Sequence, residues 1–277
     1  MRDIAEFAQA PWNSARIDGI EATETVPTML AAEEQALYAW LTGHWMRDLG
    51  EVVELGSFVG GSTARLAAGL VAAGRTAHLH AYDRFGCSEG LKETMLYPAG
   101  IAPFEGTDIL PLAHALLAPW RDQVTLHPGR IEKQSWDGGP IELLVMDASK
   151  KIPLMDRMAA TFFPSLIPGR SLVIQQDYLH WRTPWIAVQM EAMADWFTPV
   201  AFVPNDTVVF LNTRPVDSAA LLAGQVAEMT PAARLETLRR ARRRGRALGY
   251  GHRLAQSIKA MKANPDCEAA FRMRAPG

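Results

Sequence analysis

Three short stretches carry residue types and spacings that could do chemistry. The first is Glu54–Ser62, ELGSFVGGS. Gly56 permits a tight backbone turn. Gly60 lets the backbone approach a ligand closely and leaves helix amides free. Ser62 stands where a hydroxyl can cap a helix or hold a carboxylate. The dinucleotide fingerprint G-x-G-x-x-G is absent, because Phe58 occupies its second glycine, and no lysine follows to make a phosphate loop. Glu54 suits a cationic ligand and would repel a phosphate. The second stretch is Asp147-Ala148-Ser149-Lys150. The third is Gln175-Gln176-Asp177, with His180 just beyond it. Asp147, Gln176 and Asp177 offer oxygen donors only, a set suited to magnesium, calcium or manganese. The alternative is that Asp147 and Asp177 simply orient loops or ligands. His180 is a candidate base by its intrinsic pKa, although a lone histidine is more often structural.

These residues are useful only if secondary structure brings them to one place. A helical period over 29–46 precedes the apolar strand Glu51–Leu55. The glycine turn then leads into a helix at Ser62–Ala73. Further strands are expected at Ala77–Tyr82, Val124–His127, Ile141–Met146 and Ser171–Gln175, with helices at Met155–Ser165 and Thr183–Trp196. Pro199–Val203 and Thr207–Leu211, joined by Pro204-Asn205-Asp206, read as an antiparallel hairpin at the sheet edge. Strands alternating with helices predict an α/β fold: a Rossmann-like, seven-stranded, mostly parallel sheet with helices on both faces. Ligands in such sheets sit beyond the carboxyl ends of the strands. The residues there are Gly56–Gly61, Asp83, Gly129-Arg130, Asp147 and Gln176-Asp177, a convergence of glycines and polar groups. The expected organisation is an N-terminal irregular segment and helix over 1–48, the sheet domain over 49–213, and a basic helical extension over 214–277. In that extension Thr230-Pro231 starts one helix, and Leu254, Ile258 and Met261 share a face of the next.

The run VVELGSFVGGSTARLA resembles motif I of class I S-adenosylmethionine-dependent methyltransferases. The likeness is to catechol and caffeoyl-coenzyme A O-methyltransferases and to macrocin-type sugar O-methyltransferases, and it covers roughly residues 29–212. It implies that Glu54 and the Gly56 backbone contact the methionine part and that Ser62 holds its carboxylate. It implies that Asp83, in AYDRF, accepts from the ribose hydroxyls, with Arg130 and Ile131 flanking the adenine. Ser57, Phe58, Gly60, Arg84 and Asp147 complete the cofactor set by the same likeness. In metal-dependent relatives a D-x-x-K pattern supplies a metal-binding aspartate and a lysine that deprotonates the substrate, which here would be Asp147 and Lys150. An acidic pair after the fifth strand completes the metal site in those relatives. Here that pair is Gln176-Asp177, so Mg2+ assistance and a metal-free arrangement both stay open. Lys150 could act as a base only if a cation or burial depressed its pKa.

The insertion Arg84–Gln123 is about twice the length of one crossover helix. Its Met95, Leu96, Tyr97 and Phe104 would cover an apolar acceptor as a lid, or pack as a surface helix. Two cysteines could pair only once and suggest no disulfide framework, and no apolar run is long enough to span a membrane, so cytoplasm is the expected location. The net charge of −2 conceals an acidic body and a basic tail. Residues 1–213 hold 15 Lys/Arg against 25 Asp/Glu, and residues 214–277 hold 13 against 5. Six arginines fall within Arg239–Arg246. They would neutralise the protein's own acidic surface or bind an anionic partner. The expected activity is methyl transfer to a small-molecule hydroxyl, with a homo-oligomer assembled through the helical tail. The alternatives are a nucleic-acid methyltransferase gripping phosphates with the arginines, and a non-catalytic assembly protein that binds the cofactor.

Overall fold

The computed structural model describes residues 4–276. The chain divides into two compact units, Met1–Gln134 and Ser135–Gly277. The first opens with short 3-10 helices at Ile4–Gln9, Pro11–Asn13 and Ile20–Thr25. Their apolar side chains are large: Phe7 and Trp12 meet Trp40 and Trp45 with ring centroids 4.6–6.3 Å apart. Helix α1 (Ala32–Trp40) starts where the Glu34 carboxylate accepts the Ala31 amide at 2.9 Å. The helical period expected over 29–46 continues past α1 only as a wider π turn, Leu41–Trp45. Helix α2 (Gly61–Ala72) crosses α1 at Gly69. A Cβ there would lie 2.1 Å from Thr42 Oγ1 and 2.3 Å from the Ala39 carbonyl oxygen, so only glycine permits this approach.

Strands β1 (Glu51–Leu55), β2 (Leu79–Asp83) and β3 (Val124–Pro128) pair in parallel, with Leu55 opposite Tyr82 and Asp83 opposite Pro128. Between β2 and β3 the insertion forms the short α3 (Glu89–Leu91), a π turn at Lys92–Leu96, and α4 (Leu110–Leu116). It has an apolar core of its own, in which Phe85, Cys87, Leu96, Ile109 and Ala113 enclose Val59.

The second unit carries β4 (Ile141–Met146), α5 (Ile152–Phe162), β5 (Leu172–Gln175), α6 (Pro184–Ala192), β6 (Phe197–Val203) and β7 (Thr207–Asn212). Its C-terminal part adds α7 (Ser218–Ala223), α8 (Pro231–Arg244) and α9 (Leu254–Ala263). Helix α5 begins earlier than its apolar period suggests, because Pro153 occupies the first turn, where its missing N–H costs nothing. β4 and β5 are parallel, whereas β5–β7 and β7–β6 are antiparallel. The strand order is β3-β2-β1-β4-β5-β7-β6, the expected seven-stranded, mostly parallel Rossmann-like sheet with an antiparallel edge hairpin. The outermost strand is β6, which bears Pro199 and an irregular register there; an edge strand tolerates a residue that cannot donate to a ladder.

Helix α8 starts at the expected cap, where Thr230 Oγ1 accepts the Ala233 amide at 3.2 Å. It packs on α6 of the same chain. Arg244 and Arg240 reach the buried Glu191 carboxylate at 2.8 and 3.9 Å, and Arg239 and Arg243 reach Glu236 at 3.2 and 3.4 Å. Four of the run's arginines therefore serve ion pairs within the chain. Among the described residues, no helix is long and apolar enough to cross a membrane.

Candidate active site

In the first unit the glycine-rich turn joins β1 to α2. Its backbone enters the left-handed region at Gly56 (φ 110°), Phe58 (φ 51°) and Gly60 (φ 95°). Glycine adopts this freely, whereas phenylalanine needs an external hold. Asp83, at the end of β2, supplies it: Oδ2 accepts the Phe58 amide at 3.0 Å and Oδ1 accepts the Phe85 amide at 2.7 Å. Phe85 is itself left-handed, with φ 50°. Asp83 thus fixes two strained residues, and its carboxylate keeps lone pairs beyond these two bonds.

Glu54 is completely buried, and its carboxylate accepts the Thr63 hydroxyl. With the Thr63 proton so used, Ser57 must be the donor in the 2.7 Å bond between the two hydroxyls. The chain Ser57–Thr63–Glu54 ties the turn to the first turn of α2. Sequence reasoning missed Thr63, although its hydroxyl stands immediately beyond Ser62. Ser62 is 8% exposed. Arg65 holds the entry to α2 by donating to the Gly61 carbonyl at 2.9 Å and the Val26 carbonyl at 3.0 Å. The closest neighbour at Gly60 is the Leu117 side chain of the insertion, 2.6 Å from where a Cβ would be. Arg84 is exposed, Ile131 is buried, and Arg130 pairs with Glu132.

The strands flanking this turn carry a cluster with no role in the sequence reading. His80 Nδ1 and His127 Nε2 are 3.0 Å apart, His78 lies 5.2 Å from His80 between ring centroids, and Tyr82 stacks on His127 at 4.2 Å. Burial, then the neighbouring imidazoles His127 and His78, push His80 down to about 4.

In the second unit the loops after β4 and β5 meet through Lys150. Its Nζ lies 3.2 Å from Asp147 Oδ1 and is also bonded to Asp177 Oδ2. Burial lowers the lysine pKa, but the two carboxylates outweigh it and hold the group above the usual lysine value. It is an ammonium that cannot take a proton until this pairing is broken. Asp177 is left-handed, with φ 60°. Its carbonyl accepts the Thr183 hydroxyl at 2.9 Å and the His180 amide at 3.1 Å, so a closed turn presents its side chain. His180 accepts the Arg182 amide at Nδ1 and stacks beside Trp181. Trp185 Nε1 donates to the Ser149 carbonyl at 2.7 Å and clamps the Asp147–Lys150 loop. The C-terminal chain braces the same loop: the Ala270 amide donates to the Lys150 carbonyl at 2.9 Å, and the Ile152 amide donates to the Glu268 carbonyl at 3.0 Å.

A divalent cation does not fit these residues as they stand. The Lys150 ammonium already lies against both carboxylates. Gln176 is buried, and its Oε1 accepts the Thr207 hydroxyl of β7 at 2.6 Å. Among the described residues, no group of three or more His, Cys, Asp or Glu is gathered as for a metal ion.

No family model matches the chain, and no curated protein does. Solved structures similar to it include the O-methyltransferase NovP, 18% identical over 68% of this chain and 82% of that one, with a TM-score of 0.49. They also include the SAH-bound Podospora anserina methyltransferase PaMTH1, 12% identical over 75% and 93%, TM-score 0.49. A third is an O-methyltransferase from Bacillus cereus in complex with SAH, 15% identical over 77% and 92%, TM-score 0.42.

Proposed function

We propose that the chain transfers the methyl group of S-adenosylmethionine to a hydroxyl of a small molecule, a phenol or a natural-product sugar. The observation that carries the reading is the turn after β1. Its left-handed backbone is held by Asp83, and its Ser57–Thr63–Glu54 chain fixes a buried carboxylate near the end of β1, which supports a cationic sulfonium nucleoside over a pyrophosphate. Ser62 binds the methionine carboxylate. Asp83 receives the ribose hydroxyls on its remaining lone pairs, and Arg84, Arg130 and Ile131 line the adenine.

The donor is already activated, so the protein's task is to align an acceptor oxygen with the methyl carbon and to remove its proton. The C–S bond breaks as the C–O bond forms, S-adenosylhomocysteine leaves, and the hydroxyl proton passes to a base. His180 is the candidate base, through Nδ1 once it releases the Arg182 amide that it accepts. Lys150, held as an ammonium, stabilises negative charge as it develops on the acceptor oxygen. The arginine run gives little support to a nucleic-acid substrate, since four of its members are engaged by Glu191 and Glu236.

Titration calorimetry with S-adenosylmethionine, S-adenosylhomocysteine and the nicotinamide cofactors tests the reading. Saturable binding of the first two, and not of the nicotinamides, is the expected result. Absence of binding by both sulfur nucleosides ends the proposal.

A further inference from the structure

The Lys150 cluster has a physical meaning that is independent of the acceptor. Asp147 and Asp177 lie just beyond neighbouring strands, β4 and β5, and reach one nitrogen from two loops. Two carboxylates so placed repel each other unless a cation lies between them. The ammonium is that cation. It sits on the chain three residues beyond Asp147, and its loop is pinned by Trp185 from α6 and by the C-terminal chain at Glu268 and Ala270. Asp177 accepts a left-handed backbone, which aspartate tolerates better than most residues. The third oxygen that might complete a metal shell, Gln176 Oε1, is bonded to Thr207. Mg2+ requires near-octahedral oxygens at about 2.0–2.1 Å and gives up water reluctantly, and an ammonium held between the two anionic ligands stands in its way.

We propose that Lys150 is a built-in counter-ion that takes the place of a divalent cation between Asp147 and Asp177, so that the native chain needs no metal and loss of the ammonium opens a divalent-cation site. An ammonium supplies one positive charge and three donors, enough to bridge two carboxylates and still face an acceptor oxygen. The inference concerns the same loops as the proposed methyl transfer but does not require that reaction, because its readout is cation binding.

The test is titration of the full-length chain with Mn2+, with free Mn2+ followed by electron paramagnetic resonance. The native chain is expected to show no saturable site below millimolar Mn2+. Lys150→Met, similar in length and uncharged, should gain one site per chain, at least about tenfold tighter than anything in the native chain, through the two carboxylates that the ammonium no longer bridges. The double variant Lys150→Met, Asp177→Asn should lose that site again. Saturable micromolar binding by the native chain that Asp147→Asn abolishes overturns the inference, and this arm needs no Lys150 variant to fold. A folded Lys150→Met chain, judged by its circular dichroism, that binds Mn2+ no better than the native chain also overturns it.

Discussion

Acidification should act on this protein through His80. Folding sets its strand, β2, between β1 and β3, with the imidazole partly buried, His127 at hydrogen-bond distance and His78 edge-on nearby. Burial comes first among the causes and the two imidazoles second, and together they push His80 from 6.5 to about 4. The unfolded chain therefore binds more protons than the folded chain between these values, and stability rises with pH across the window. The stabilisation is fully present above about 6.5 and is lost as pH falls toward about 4. At 1.36 kcal/mol per unit, a shift of this size sets an upper bound of about 3 kcal/mol; solvent around the half-buried ring screens it to about 1–2 kcal/mol, most of it gone by about pH 4.5. His127 is lowered as well, again by burial first and by His78, and acts in the same direction.

Two measurements check this. Ring-proton NMR titration resolves the seven histidines of the chain, and His80→Gln assigns one of them. Urea unfolding at pH 7.5 and pH 4.5 gives the linked free energy. We expect a His80 midpoint well below 5 and a pH dependence that His80→Gln reduces by about 1–2 kcal/mol. A His80 midpoint between 6 and 7, or an unaltered pH dependence in the variant, refutes the reasoning.

Three further outcomes follow from close contacts. Gly69→Ala drives a methyl into Thr42 and the Ala39 carbonyl, and overpacking of this kind costs about 1–3 kcal/mol; Gly90→Ala, with open space around it, should change unfolding by less than about 0.5 kcal/mol in the same urea series. Asp83→Asn leaves one carbonyl oxygen to serve both the Phe58 and Phe85 amides, so it should destabilise the chain by about 1–3 kcal/mol and weaken S-adenosylhomocysteine binding in calorimetry; unchanged values for both would show that the carboxylate does not hold the turn. Ala270→Pro removes the amide that binds the Lys150 carbonyl, and hydrogen exchange at the Ile152 amide should quicken by about five- to tenfold, an effect of roughly 1 kcal/mol; equal exchange in both proteins would show that the C-terminal chain does not brace the loop.

Much of the fold could be read directly from residue order. EVVEL, IELLVM and SLVIQ are apolar runs bounded by turn residues, and each is a buried strand in the sheet. Polar residues collect at the strand ends because a parallel sheet brings those ends to one edge. Pro231 and Thr230 start α8 as their local chemistry requires. These signals are short-range, set by backbone propensity and by apolar periods of a few residues. The side-chain partnerships were not legible, because each joins residues whose separation along the chain carries no period. Asp83 meets the Phe58 amide across 25 positions, Lys150 meets Asp177 across 27, and Thr207 meets Gln176 across 31. His80 and His127 are 47 positions apart and become neighbours only through the register of β2 on β3. Sequence alone thus supplied the strands, the glycine turn and the residue types at the strand ends. Tertiary structure decided which of those groups are already committed to one another. Asp83 holds backbone amides and Lys150 lies against two carboxylates, because burial and strand register, rather than residue type, determine which partner a polar group finds.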